Sequence, residues 1–165
     1  MGVVAGMPVD EYLRSSFDGI DREYRDGALL ERSMPDYLHG KTQALLIAFF
    51  MALRKRLSLF PCAETRMMVR AGRFLIPDVA VFHQREPGLV PNSPPLIAIE
   101  ILSPDDRLSE VRNKLEEYRA WGVAHVWLTD PHSRRLYRCD EGLQEVERFT
   151  VVELSLDISA DQIFE

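Results

Sequence analysis

The sequence predicts an α/β (mixed α+β) fold, in which helices cover a mixed central β-sheet. Three observations lead there. Ile76–Phe82 and Leu96–Leu102 are apolar runs of the kind found in strands buried on both faces. Apolar residues recur at helical spacing over about 36–57 and 106–121. Turn residues at Asp26-Gly27, Gly72 and Asp140-Glu141-Gly142 separate short strand-like segments. The 165 residues suit one domain over 1–165, and no repeat, linker or low-complexity stretch divides them.

In order, Pro8–Ser15 reads as a short helix anchored by Tyr12 and Leu13. Arg22–Arg25 and Ala28–Ser33 flank Asp26-Gly27, a strong signal for an N-terminal β-hairpin. A helix follows from Pro35 or Asp36 to Leu57, with Leu45, Ala48, Phe49, Ala52 and Leu53 as its stripe. Because Ala44–Leu53 is apolar nearly all round, that helix should be well buried. Strands are expected at Glu64–Ala71, Ile76–Phe82 and Leu96–Leu102, the first pair broken by Gly72. Residues 83–95 contain four prolines and read as a loop. A helix from about Asp106 to Trp121 should stop at Gly122. Ala124–Thr129 is a strand, Asp130–Ser133 a turn, and Arg135–Cys139 with Leu143–Phe149 a second hairpin. Ser159 caps a closing helix to Phe164.

Composition narrows the function classes. Hydrophobic residues at 46% and charged residues at 28% exclude a mainly disordered chain. Cys62 and Cys139 belong to no ligand pattern, so reduced thiols in a cytoplasmic protein are the simplest reading. The longest apolar run is ten residues, whereas a membrane span needs about 20. No basic segment precedes an apolar stretch at the N-terminus, so no signal peptide is expected. A net charge of −6 does not suit a protein that grips phosphates over its whole surface. The charge is uneven, however: residues 51–75 hold six basic residues against Glu64, which allows either a basic patch or a solvated face.

Two acids stand where strand rules disfavour them. Glu100 interrupts the run Leu96–Leu102, and Asp78 interrupts Phe74–Phe82. An unpaired buried carboxylate costs several kcal/mol, so each needs a partner. Arginine pairing or a solvated strand end is one answer. A divalent cation is the other, and few oxygen ligands favour Mg²⁺. Lys114 lies about 70° from the centre of the helical stripe Leu108, Val111, Leu115, Tyr118, at the border of the core. It either faces such a site or pairs with Glu110 on the surface. His39 and Glu23 carry weaker signals: a helical histidine is more often a cap or packing residue, and Glu23 alone indicates nothing. No Gly-rich phosphate loop and no Gly-x-Ser-x-Gly elbow is present.

These residues fall in a recognisable order. Glu23-Tyr24-Arg25-Asp26-Gly27, His39, Pro77-Asp78, Glu100-Ile101-Leu102-Ser103-Pro104, Lys114-Leu115-x-x-Tyr118, Gly122-Val123, Trp127-Leu128 and Asp130-Pro131 together resemble the Uma-two family. That family is described as restriction endonucleases of the PD-(D/E)XK nuclease superfamily. The resemblance covers the chain from about residue 8 to its end. It implies a restriction-endonuclease-like core with Asp78 and Glu100 as metal ligands, joined by the Ile101 carbonyl. Where the superfamily pattern has lysine two residues after the Glu, this chain has Leu102. The family resembles one in which the lysine has moved to the next helix, and Lys114 is the matching position. The implied activity is Mg²⁺-dependent phosphodiester hydrolysis on DNA, with Mn²⁺ as a substitute. Glu23 would support the acidic cluster and His39 would assist proton transfer or contact phosphate. Fold analogy adds a homodimer that completes the cleft. Two alternatives stand beside this reading: a non-catalytic binding or assembly module that kept the fold, and a hydrolase of a small phosphate or nucleotide.

Overall fold

The computed structural model describes residues 6–165. Helix α1 (Val9–Arg14) precedes the hairpin β1 (Glu23–Arg25) and β2 (Ala28–Leu30). Its turn residues Asp26 and Gly27 have φ of 48° and 95°, the pair of left-handed residues that lets a two-residue turn follow strand twist. Helix α2 (Tyr37–Leu57) is capped by Asp36, whose carboxylate accepts the His39 N–H at 2.9 Å. Strands β3 (Phe60–Ala63), β4 (Met67–Arg70), β5 (Arg73–Leu75), β6 (Val79–Phe82) and β7 (Ile97–Ile101) lead to helix α3 (Leu108–Trp121). Gly122, at φ 110°, closes α3. Strands β8 (His125–Asp130), β9 (Arg135–Asp140), β10 (Gly142–Val146), β11 (Arg148–Val151) and β12 (Leu156–Ser159) precede the last helix, α4 (Ala160–Phe164).

The main sheet has six strands in the order β10-β9-β8-β7-β6-β3. Only β7 and β8 run parallel, joined by α3 as a crossover, and the other pairs are antiparallel. Side chains alternate across it. Val79, Val81, Ile97, Ile99, Ile101 and Trp127 pack with Leu46 and Phe50 of α2. Ala80, Phe82, Ala98, Val126 and Leu128 pack with Leu115 and Tyr118 of α3. The hairpin joins β5 and β4 in a second sheet of order β2-β1-β5-β4, which rests on Tyr12. A third pair, β11 and β12, adds Phe149 and Ile158 to the α2 side of the core. No helix among the described residues is long and apolar enough to cross a membrane.

The mixed sheet, the hairpin and both long helices match the expected fold class. Four details differ. The strand expected over Ile76–Phe82 begins only at Val79, because Pro77 offers no N–H and the chain crosses there between the two sheets. Leu143–Phe149 is two strands, since Phe149 leaves the hairpin to stack on Trp127 at 4.2 Å. Strands β3, β5 and β12 fall outside the expected strand ranges, β5 pairing with β4 across the break at Gly72. Finally, α2 buries His39, Thr42, Leu46 and Phe50, while Ala48 and Ala52 face outward. A run apolar on every side does not select a face, and the larger side chains occupy the core.

Candidate active site

The site forms where the two larger sheets meet. Alternation along β7 places Glu100 on the α3 side, in line with Ala98. Continuing the β6–β7 register one step past Val79↔Ile99 sets Asp78 opposite Glu100. Opposed residues in an antiparallel pair share a face about 5 Å apart, so two acids converge at the strand ends. The Ile101 N–H donates to Asp78 Oδ2 at 2.7 Å and fixes that carboxylate.

Helix α3 supplies the counter-charge. Lys114 Nζ lies 2.6 Å from Glu23 Oε1 and 2.8 Å from Glu100 Oε1, and donates to the Ile76 carbonyl at 2.9 Å. One turn on, the Tyr118 hydroxyl donates to Glu100 Oε1 at 2.7 Å. Glu23 Oε1 also accepts the Ile76 N–H at 3.0 Å, so the hairpin ties the link between the sheets to α3. From α2, His39 Nε2 lies 3.3 Å from Asp78 Oδ1, and His39 Nδ1 is buried without a partner. Glu23, His39, Asp78, Glu100 and Lys114 all line one cavity of about 470 Å³, and Ile101 lines it too.

Every expected site residue is therefore in one place. Lys114 turns inward, and its surface alternative with Glu110 fails because its ammonium is taken up by Glu23, Glu100 and the Ile76 carbonyl. The reading of Tyr118 as core packing misses its hydroxyl bond. Arg32, Glu64 and Gln43 were not foreseen, and no local pattern marks them. Arg32 reaches Glu64 Oε2 at 2.5 Å and Asp78 Oδ1 at 3.3 Å. Gln43 donates to Glu64 Oε1 at 3.0 Å and to the Asp78 carbonyl at 2.8 Å. The basic stretch 51–75 does not form one patch: Arg66, Arg70 and Arg73 are paired with Asp21, Asp26 and Glu117. Arg54, Lys55 and Arg56, at the end of α2, are exposed and form no ion pair among the described residues.

The residues suit a divalent cation. With all four carboxyls ionised and His39 neutral, Glu23, Glu64, Asp78 and Glu100 meet two cations among the described residues, Arg32 and Lys114, an excess of two negative charges that either a bound cation or protonation of Glu100 relieves. Glu100 Oε1 is occupied by Lys114 and Tyr118, while no described residue donates to Oε2. Among the described residues no three His, Cys, Asp or Glu side chains group as a metal cage. A cation here would take two carboxylates from the protein and keep water, as Mg²⁺ does.

Burial raises the Glu100 carboxyl from 4.5 to about 8, against the opposing pull of Lys114. Burial would also raise Asp78, but the His39 contact and the charges of Lys114 and Arg32 outweigh it, and its pKa falls below 3.8. Burial disfavours charged His39, yet Asp78 outweighs that effect and its pKa rises above 6.5. The signs give a prediction. A carboxyl with a raised folded pKa contributes stability that is complete below 4.5 and lost as pH rises through about 8. Protonated His39 adds loss in the same direction, above 6.5. Without metal, the melting temperature should fall between about pH 5 and 8, and a divalent cation, were Glu100 to ligate it, would flatten that fall by favouring the ionised carboxylate. Thermal melts across this range check it; a flat metal-free profile would contradict it.

A mixed sheet with two acids at adjacent strand ends and a lysine on the crossover helix defines a restriction-endonuclease-like α/β protein. Comparison with known proteins makes this specific. The chain belongs to the Uma2 family, described as "Putative restriction endonuclease", whose pattern matches residues 9–164. A crystal structure from Anabaena variabilis, described as a "putative nuclease" of the DUF820 group, is similar over 95% of this chain and 98% of its own. Its TM-score is 0.82 at 22% identity, a likeness of fold. Among curated proteins, none matches this chain.

Proposed function

We propose that this chain is a Mg²⁺-dependent endonuclease that hydrolyses phosphodiester bonds in DNA, with Mn²⁺ able to substitute. The observation that carries this reading is the convergence of Asp78 and Glu100 beside Lys114 at the floor of one open cavity. Family membership supports it. Asp78, Glu100 and the Ile101 carbonyl would hold the cation. When bound, it would polarise a phosphoryl oxygen and acidify a water. Lys114 orients the attacking water or offsets charge developing on the phosphate. Glu23 holds Lys114 in place, and His39 holds Asp78 and faces the cavity, where it contacts phosphate or carries a proton. The same reading places the enzyme in the cytoplasm, as a homodimer whose copies complete the cleft.

The test is cleavage of supercoiled and single-stranded DNA with Mg²⁺, Mn²⁺ or chelator, comparing wild type with Asp78→Ala and Glu100→Ala. Each substitution should reduce metal-dependent cutting by at least about a hundredfold, since several kcal/mol of charge stabilisation is removed. Cutting that survives both substitutions would place the chemistry elsewhere. Competition by a mononucleotide would point to a small phosphate substrate. One observation favours the binding-module alternative: Arg32 and Lys114 already contact Asp78 and Glu100. That reading expects no cutting and no metal-induced rise in melting temperature, whereas a ligand site gains stability by mass action.

A further inference from the structure

Arg32 has no part in the proposed chemistry, yet its placement is specific. It follows the hairpin, its side chain is only 11% exposed, and its guanidinium spans two carboxylates. One nitrogen lies 2.5 Å from Glu64 Oε2 and another 3.3 Å from Asp78 Oδ1. The Glu64 contact is the shorter. Glu64 is built to hold it: its backbone has φ of 52°, a left-handed conformation unfavourable for a side chain with Cβ. Its other oxygen accepts Gln43 Nε2 at 3.0 Å, and the same amide donates to the Asp78 carbonyl at 2.8 Å. A strained loop thus carries the anchor of an arginine that only lightly holds Asp78. Asp78 Oδ2 is committed to the Ile101 N–H, so Oδ1 is the oxygen left to face a cation; Arg32 and His39 Nε2 both contact it, each at 3.3 Å, and of the two only Arg32 has a second carboxylate, Glu64, to hold it when it moves off. Arg32 also lines the cavity.

We infer that Arg32 is an exchangeable counter-ion of Asp78. It occupies Oδ1 in the metal-free protein, yields it to the cation, and, still anchored by Glu64, presents its guanidinium to a phosphate of the substrate. A planar guanidinium suits a phosphate with two parallel N–H donors, which lysine cannot offer. This rests on the nuclease reading and adds to it a phosphate-positioning arginine that competes with the metal.

The test has a readout apart from cutting: melting temperature against MgCl₂ and MnCl₂ concentration. Arg32→Met should tighten apparent metal affinity by at least about fivefold, the lower range of coupling between two sites. At saturating metal it should still cut at least about a hundredfold more slowly, as when one donor to developing charge is removed. Glu64→Gln should weaken metal affinity, because Arg32 then leans wholly on Asp78. In the Arg32→Met background Glu64→Gln should have little effect, as expected if it acts through Arg32. A merely structural Arg32 would predict the opposite sign for Arg32→Met, which would loosen the site and weaken metal binding as Glu64→Gln does. Unchanged metal affinity in Arg32→Met, or a Glu64→Gln effect that persists without Arg32, would overturn the inference and leave the nuclease reading intact. If Arg32→Met does not fold, Arg32→Lys serves: it should bind metal like wild type and cut more slowly, and equal cutting would overturn the inference. A wild type without metal response would remove both.

Discussion

Lys114→Met is expected to lower stability at pH 8 by about 3–5 kcal/mol, the cost of removing one partner from a buried ion pair. The ammonium places all three donors: Glu23, Glu100 and the Ile76 carbonyl take one each. Without it, the buried Glu23 and Glu100 carboxylates lie side by side next to α3 with no cation between them. For a chain of this size the loss corresponds to a fall of roughly 10 °C in melting temperature. The penalty should shrink toward pH 5, because protonated Glu100, with its pKa of about 8, no longer needs the ammonium. Methionine keeps the unbranched stem up to the Cε position and removes the ammonium, so lost packing contributes little to the result. Thermal melts of wild type and variant at pH 5 and pH 8 decide it. Equal destabilisation at both pH values would mean that Lys114 acts by packing. On the proposed nuclease function, metal-dependent cutting should fall in the same variant even below its melting temperature.

The second large effect lies away from the site. Trp127→Ala should destabilise by about 3–5 kcal/mol. Trp127 is 1% exposed and stacks flat on Phe149, with ring centroids 4.2 Å apart and planes 2° apart. That stack joins the β11–β12 pair to the six-stranded sheet, so the loss combines a cavity with a lost aromatic contact. Trp127 pairs in register with Ile99, next to Glu100, but faces the α2 side. Denaturant unfolding measures the loss. Metal affinity of the folded variant should change little, and a large change would show that the α2 face of the sheet sets the geometry of the site.

Comparing the two positions shows what can be read locally. Glu100 and Asp78 were legible as acids inside apolar runs, because a strand buried on both faces tolerates no unpaired charge. Lys114 was legible as a border position, since helical spacing fixes its angle to the stripe. Asp26-Gly27 and Gly122 announced their turns, because left-handed backbone strongly favours particular residues. Arg32 carried no such mark: an arginine in a polar segment looks the same whether it meets water or a carboxylate 46 positions away. The same holds for Glu64 and Gln43. The stripe expected on α2 holds in part, Phe49 and Leu53 packing against the core while Ala48 and Ala52 face outward, because the run has no polar face to orient it.

The α/β class, the order of helices and central strands, and the need of the two strand acids for partners can all be read along the chain. Those follow from local rules of period, turn chemistry and desolvation. Tertiary structure alone decided three things. It broke the strand at Pro77, so that the chain passes between two sheets and leaves Asp78 opposite Glu100. It joined β1, α2 and α3 around that point, and it paired the arginines of 66–73 with acids from distant segments instead of leaving a basic patch. The physical reason is that charge pairing acts through space. Its partners are chosen by strand register and helix packing, which no local pattern of residues contains.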